Sequence, residues 1–214
     1  MFGRVTMMMV VLLLLAPGAR AASGQELVKP LQARWAEIKY QLPEAARAEE
    51  YALLGKRAQA LGEANPNDPE VLIWEAIIFS SEAGARGGLG ALSLAKKARA
   101  LLEESLKLDE AALDGSAYTS LGTLYAKVPR WPIGFGNREK AEAMFARSLA
   151  INPDGIDPNF FYGEYLLERK RVAEGRRHLE KALAAPPRPG RELADEGRRQ
   201  EVRALLDAIG TESD

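Results

Sequence analysis

Residues 162–187 read YGEYLLERKRVAEGRRHLEKALAAPP, and their spacing decides the fold. From Gly163, Leu166 lies three residues on, Gly175 twelve, Leu179 sixteen, Ala182 nineteen and Pro187 twenty-four. The apolar residues between them recur three and four apart, the period of a helix face. Leu, Glu, Lys, Arg and Ala fill the rest, and these are strong helix formers. Gly163 lets one helix approach the next, and Leu179 fills the space between them. Pro187 stops the second helix, because proline lacks the donor and clashes with the turn before it. The stretch predicts two helices folded back on each other.

The same spacing recurs upstream. Leu121-Gly122-Thr123-Leu124-Tyr125 starts a unit, and Ala141, Phe145, Ser148 and Pro153 complete it seven residues late. Ala76 and Phe79 start another, completed ten residues late by Ala98, Leu102, Ser105 and Glu110. Leu54, Ala58, Leu61 and Pro66 form a leading half-unit. Small, aromatic, small, bulky, small, then proline resembles the tetratricopeptide repeat, a helix–turn–helix of about 34 residues. The expected fold is all-α, a tetratricopeptide-type helical-hairpin solenoid with helical caps. Residues 22–68 hold a leading hairpin, with helices at 25–41 and 43–64. Residues 69–187 hold three repeats, at about 69–112, 115–155 and 157–187. Residues 188–214 hold a closing helix at 190–209 and a tail. Leu193, Val202, Leu205, Leu206 and Ile209 form that helix's apolar stripe, with Glu196, Arg198, Arg199 and Glu201 on its wet face. Repeat arrays need such caps to stay soluble.

Two departures from the repeat carry the functional expectations. Insertions at 81–92 and 128–137 fall at the turn within a repeat, on one edge of a solenoid, where binding faces often lie. The second holds Trp131, Ile133 and Phe135, whose apolar area is costly to leave in water. It is expected either to plug the array or to meet a ligand or partner. In the plug reading, Trp131→Ala costs roughly 3–5 kcal/mol of stability. The inner positions of the repeats are Ile73, Ile77, Thr119, Thr123, Phe160 and Glu164. They read either as core or as the lining of an apolar pocket with a few polar contacts. Affinity in such a groove comes from apolar burial and depends weakly on salt.

Residues 1–21 read as a secretory signal: Arg4, an apolar run from Val5 to Ala16, Pro17-Gly18, and Ala19-Arg20-Ala21 as the cleavage site after Ala21. The apolar run is shorter than the roughly 20 residues a membrane span needs. No membrane span is expected after cleavage, and no cysteine follows to carry a lipid. A periplasmic or secreted protein is expected. Losing Arg4 and Arg20 takes the 29 basic residues to 27 against 30 acidic ones, a net charge of −3. That balance argues against nucleic acid as a partner.

Composition narrows the chemistry. The 214 residues contain no cysteine and one histidine, His178. Thiolate metal sites, cysteine nucleophiles and two-histidine zinc helices are therefore absent, and no cofactor is expected. His178 reads as a solvated surface residue. Ser93-Leu94-Ala95-Lys96 matches S-x-x-K, but no K-T-G or S-D-N accompanies it. A serine hydrolase using Ser93 and Lys96 is a remote reading. Arg169-Lys170-Arg171 is a short basic run at the turn within a repeat that reads as solvated, with contact to an acidic partner as the remote reading.

Several stretches carry a more specific resemblance. They are Gly87-Gly88-Leu89-Gly90, Asp114 to Gly122, Trp131-Pro132-Ile133-Gly134-Phe135-Gly136 and Asn152 to Asn159. Over roughly residues 45–190 the chain resembles the TRAP transporter T-component family. The resemblance implies an exported, all-helical, non-catalytic protein. It implies association with a periplasmic solute-binding protein, or a small apolar or organic-acid ligand held near the centre of the array. The second reading is an envelope assembly scaffold with no small ligand.

Overall fold

The computed structural model describes residues 23–211, so the signal segment of residues 1–21 lies outside it. Nine helices make up the described residues: α1 (Gly24–Tyr40), α2 (Glu44–Ala64), α3 (Pro69–Arg86), α4 (Gly88–Leu108), α5 (Ala112–Lys127), α6 (Arg138–Ile151), α7 (Ile156–Glu168), α8 (Val172–Ala184) and α9 (Glu192–Thr211). Their order is the one the periodicity predicts, and α1, α2 and α9 fall within two residues of the expected 25–41, 43–64 and 190–209.

Local chemistry sets several boundaries. Asp68 accepts the Glu70 and Val71 amides at the start of α3, with Pro69 at the first helical position. Asn137 accepts the Lys140 amide at the start of α6. Leu113, Asp114 and Gly115 all have positive φ, so α5 is regular only after Gly115, where the repeat spacing begins.

The helices pair as α3–α4, α5–α6 and α7–α8, while α2 packs mainly on α3 and only lightly on α1, so the expected leading hairpin is held through α3. The first members also pack in sequence, α1 on α3, α3 on α5 and α5 on α7, forming an inner row. The close approaches are those the spacing predicts. A Cβ on Gly122 would sit 2.8 Å from the Phe145 ring, and one on Gly163 would sit 3.0 Å from Leu179. Phe145, Leu179, Leu102, Ala98 and Ala141 are fully buried or nearly so.

Two expectations change. Residues 81–92 are not a loop. α3 continues to Arg86 and α4 starts at Gly88, leaving Gly87 as the whole connection. The α3 extension is held by an i,i+4 ion pair between Glu82 and Arg86 at 2.8 Å. Gly87 and Gly88, both at positive φ, make the reversal without a Cβ to strain it. Residues 128–137 do form a loop, and it rests beside the start of α4, where a Cβ on Gly134 would lie 3.4 Å from Leu92.

The second change concerns α9. It is more than an outer cap, for it packs on α8, α7 and α1 and so links both ends of the inner row. Arg198, expected on its wet face, is 5% exposed. Arg198 donates to Asp157 at 2.9 Å and to Glu201 at 2.6 Å. Its guanidinium lies 4.3 Å from the Phe160 ring centre and 4.5 Å from that of Phe161. Gly197 lies against Tyr40, whose hydroxyl donates to Glu201 at 3.2 Å. Just before α9, Arg191 stacks on Trp74 of α3 at 4.9 Å.

Candidate functional site

The inner-row residues do not converge on one cavity. Ile73 is fully buried among Ala76, Phe79 and Leu102. Ile77 is half-buried and packs against both the α3–α5 cluster and the α1–α3 cluster. Thr119 turns into the α5–α6 contact, where its hydroxyl shares a 2.5 Å hydrogen bond with that of Ser148. The Thr123 hydroxyl donates to the Thr119 carbonyl at 3.0 Å. Phe160 is buried with Val202 of α9. Glu164 is half-buried and pairs with Lys127 at 3.1 Å. The chain's own α9 and the segment before it cover the inner row at Trp74 and Phe160.

Behind that cover lies a network of ionised groups. Arg188 holds Asp157 at 2.7 Å and Asp195 at 2.6 Å, while Arg198 holds Asp157 and Glu201. Lys39 of α1 reaches Glu201 at 3.0 Å. Burial alone would raise the Asp157 carboxyl. Arg188 and Arg198 outweigh it and hold that carboxyl well below the ordinary carboxylate range. Asp195 is 2% exposed, so every donor around it must be in place. The sequence carries one sign of this network. Arg198 falls midway between Ala194 and Val202, four residues from each, on the face that carries the apolar stripe.

The residues of the 128–137 loop divide between two roles. Phe135 folds back, with its ring at 5.8 Å and 90° to Tyr125 and the Arg99 guanidinium 4.5 Å above it. Trp131 and Ile133 point outward, 86% and 67% exposed. Phe135 therefore packs on the chain itself, and Trp131 does not. The loop is firmly held. The Ile133 and Gly134 amides donate to the Arg130 carbonyl, both at 3.1 Å. The Gly136 amide donates to the Pro129 carbonyl and the Asn137 amide to the Tyr125 carbonyl, each at 2.9 Å. Cβ atoms on Gly134 and Gly136 would collide with the Pro129 and Val128 carbonyls, so only glycine permits this path.

Beside the loop is a shallow cleft of about 290 Å³ lined by Arg130, Arg138, Glu142, Tyr165, Arg169 and Arg171. Arg171 is occupied, pairing with Glu142 at 2.5 Å and Glu174 at 2.7 Å. Arg130, Arg138 and Arg169 are exposed. Sequence reasoning noticed Arg169 and Arg171, but not that Arg130 and Arg138 join them from the loop and from the start of α6.

Ser93 and Lys96 are both exposed, on the first turns of α4. His178 is half-buried rather than solvated. Its Nδ1 shares a 2.9 Å hydrogen bond with Asn159 Oδ1, and its ring meets the Tyr162 ring edge-on at 4.8 Å. Burial lowers its pKa, and Lys181 and Arg177 lower it further. Asn159 also donates to the Pro153 and Gly155 carbonyls, so the pair ties α8 to the turn before α7. Glu75 is displaced as well. It is 7% exposed against Gly62 of α2, and burial, then Glu63, pushes its carboxyl up to about 7. Among the described residues, no cluster of three or more His, Asp or Glu side chains is placed to hold a metal. No helix among them is long and apolar enough to cross a membrane.

A protein-family model described as TRAP transporter T-component matches residues 29–210, from within α1 almost to the end of α9. The chain belongs to that family. No curated protein matches it.

Proposed function

We propose that this chain acts after export as a non-catalytic accessory of a TRAP-type solute transporter. It is built from tetratricopeptide-type hairpins and engages a protein partner, the transporter's solute-binding protein. The family match supports the transporter link. The observation that carries partner binding is the outward pair Trp131 and Ile133, set on a loop whose backbone is already hydrogen-bonded. A large apolar surface held rigidly in water is the mark of an interaction site, because docking it orders little that is not ordered already.

A small ligand on the inner row is the second reading, and α9 weighs against it. Ile73 is buried among residues of α3, α4 and α5, and Phe160 is buried with Val202 of α9, so an apolar ligand at Phe160 would have to displace the α9 contact. A serine hydrolase is weaker still, since Ser93 and Lys96 stand on an open helix surface. Native mass spectrometry of the protein purified from the periplasm, followed by denaturing extraction, tests these readings. The expected result is a bare chain that forms a complex with the purified solute-binding protein. A retained small molecule, lost on Ile77→Glu, refutes the partner reading and identifies a carrier. Labelling of Ser93 by an active-site serine probe refutes the non-catalytic reading.

A further inference from the structure

We propose that the 128–137 loop and the arginine cleft beside it form one docking surface. Its occupant is a folded protein bearing an apolar socket with a carboxylate rim. The inference rests on the accessory reading above and assigns the surface that serves it to the solute-binding protein. Trp131 and Ile133 supply the apolar anchors, and both stand free of the chain's own core. Arg130, Arg138 and Arg169 supply the charge. They line the same cleft from the loop, from α6 and from the end of α7.

Charge complementarity selects the occupant. Guanidinium groups take carboxylates in a planar, two-point geometry. Arg171, which also lines the cleft, already shows that pairing with Glu174, through its Nε and Nη2. The three exposed arginines around it are placed to do the same with carboxylates from outside. The cleft is concave, and it also holds Glu139 and Glu142. A flat anionic lipid surface would meet those carboxylates, whereas protruding Asp or Glu side chains can reach past them. The apolar anchor then sets the lifetime of the complex, and the arginines set its rate of formation and its register.

The test uses the full mature chain and the separately purified solute-binding protein, with affinity and association rate followed by surface plasmon resonance. Trp131→Ala is expected to weaken binding at least about tenfold, mainly through faster dissociation. The double change Arg138→Glu with Arg169→Glu is expected to slow association about tenfold and to flatten its salt dependence. Lys56→Glu, an exposed change on α2, is expected to alter neither. Thermal unfolding and circular dichroism of each variant should match the wild type, since all four residues are exposed. If every variant binds like the wild type, the surface is wrong and the accessory reading stands. If the wild type does not bind the solute-binding protein at all, both fall. If it instead co-sediments with phosphatidylglycerol vesicles and Trp131→Ala abolishes this, the surface is a membrane contact and the proposal is overturned.

Discussion

Glu75 gives the most exacting test of the packing. It lies on α3, almost wholly enclosed, with its carboxyl against Gly62 of α2 where any larger residue would collide with it. Burial is the main reason its pKa rises from an ordinary 4.5 to about 7; Glu63 adds to the rise and Lys97 opposes it. The folded chain therefore holds this proton more tightly than the unfolded chain does. The stability it contributes is full below the unfolded value and is lost as pH rises through about 7. The size of the displacement corresponds to about 3 kcal/mol between the two limits. Glu75→Gln keeps the shape and removes the titration. Urea unfolding of both proteins between about pH 5 and pH 8.5 reads the effect. The variant's advantage should be under about 1 kcal/mol near pH 5 and grow to about 3 kcal/mol near pH 8.5. His178 titrates in the same window with opposite sign, since its folded value is lowered. It contributes equally to both proteins and cancels in their difference. A difference that stays flat with pH would refute the argument, because it would mean that the Glu75 carboxyl is solvated or paired in the folded chain.

Other perturbations separate the roles assigned here. Trp131→Ala should leave the unfolding midpoint unchanged, whereas Phe135→Ala should cost about 2 kcal/mol, since only Phe135 packs on Tyr125 and Arg99; equal effects in thermal melts would overturn the division of the loop. Asp157→Asn should cost about 3 kcal/mol, the low end for breaking an enclosed ion pair because Asp157 keeps 26% exposure. The wild type should also lose the contribution of Asp157 as pH falls below the ordinary carboxylate range, because its folded pKa is the lower one. An acid-unfolding curve identical in the two proteins would refute that role. Gly122→Ala should cost about 1–3 kcal/mol by pressing a methyl group into the Phe145 ring, and a neutral result in urea unfolding would mean that α5 and α6 can separate freely.

The parts of the fold that follow from a period were legible in the sequence. Gly122 against Phe145 and Gly163 against Leu179 are local consequences of helix geometry, because residues at fixed separations in a hairpin must meet. The 81–92 stretch misled for an equally local reason. Its glycines read as punctuation, yet only Gly87 and Gly88 have positive φ, while Gly84 and Gly90 stay helical. A glycine inside a helix costs only about 1 kcal/mol, which the neighbouring Glu82–Arg86 pair and tertiary packing can offset. The candidate site was less legible. Trp131 and Phe135 stand four residues apart in one aromatic loop, and nothing in their identity says which one turns inward. That choice depends on Arg99 and Tyr125, which lie far along the chain or in another helix.

The inner row shows why solenoid analogy and this chain part company. In an open array the row of first helices faces water or a ligand, and a closing helix protects only the last hairpin. Here α9 reaches back to α1, and its contacts are ionic as well as apolar. Arg198 lies on the Phe160 and Phe161 rings while holding Asp157 of α7 and Glu201 of its own helix. Glu201 in turn takes Lys39 and Tyr40 of α1. One side chain on α9 thus joins both ends of the row, and removing it would leave the Asp157 carboxylate with Arg188 alone. An arginine in that position costs desolvation that leucine would not, so apolar burial alone does not explain it. What it adds is a fixed register, since only one sliding position of α9 sets Arg198 beside Asp157 of α7 and Glu201 beside Lys39 of α1. With α9 holding the inner face at α1 and α7 in this way, the loop at residues 128–137 and the arginines beside it present apolar and charged groups together at the surface.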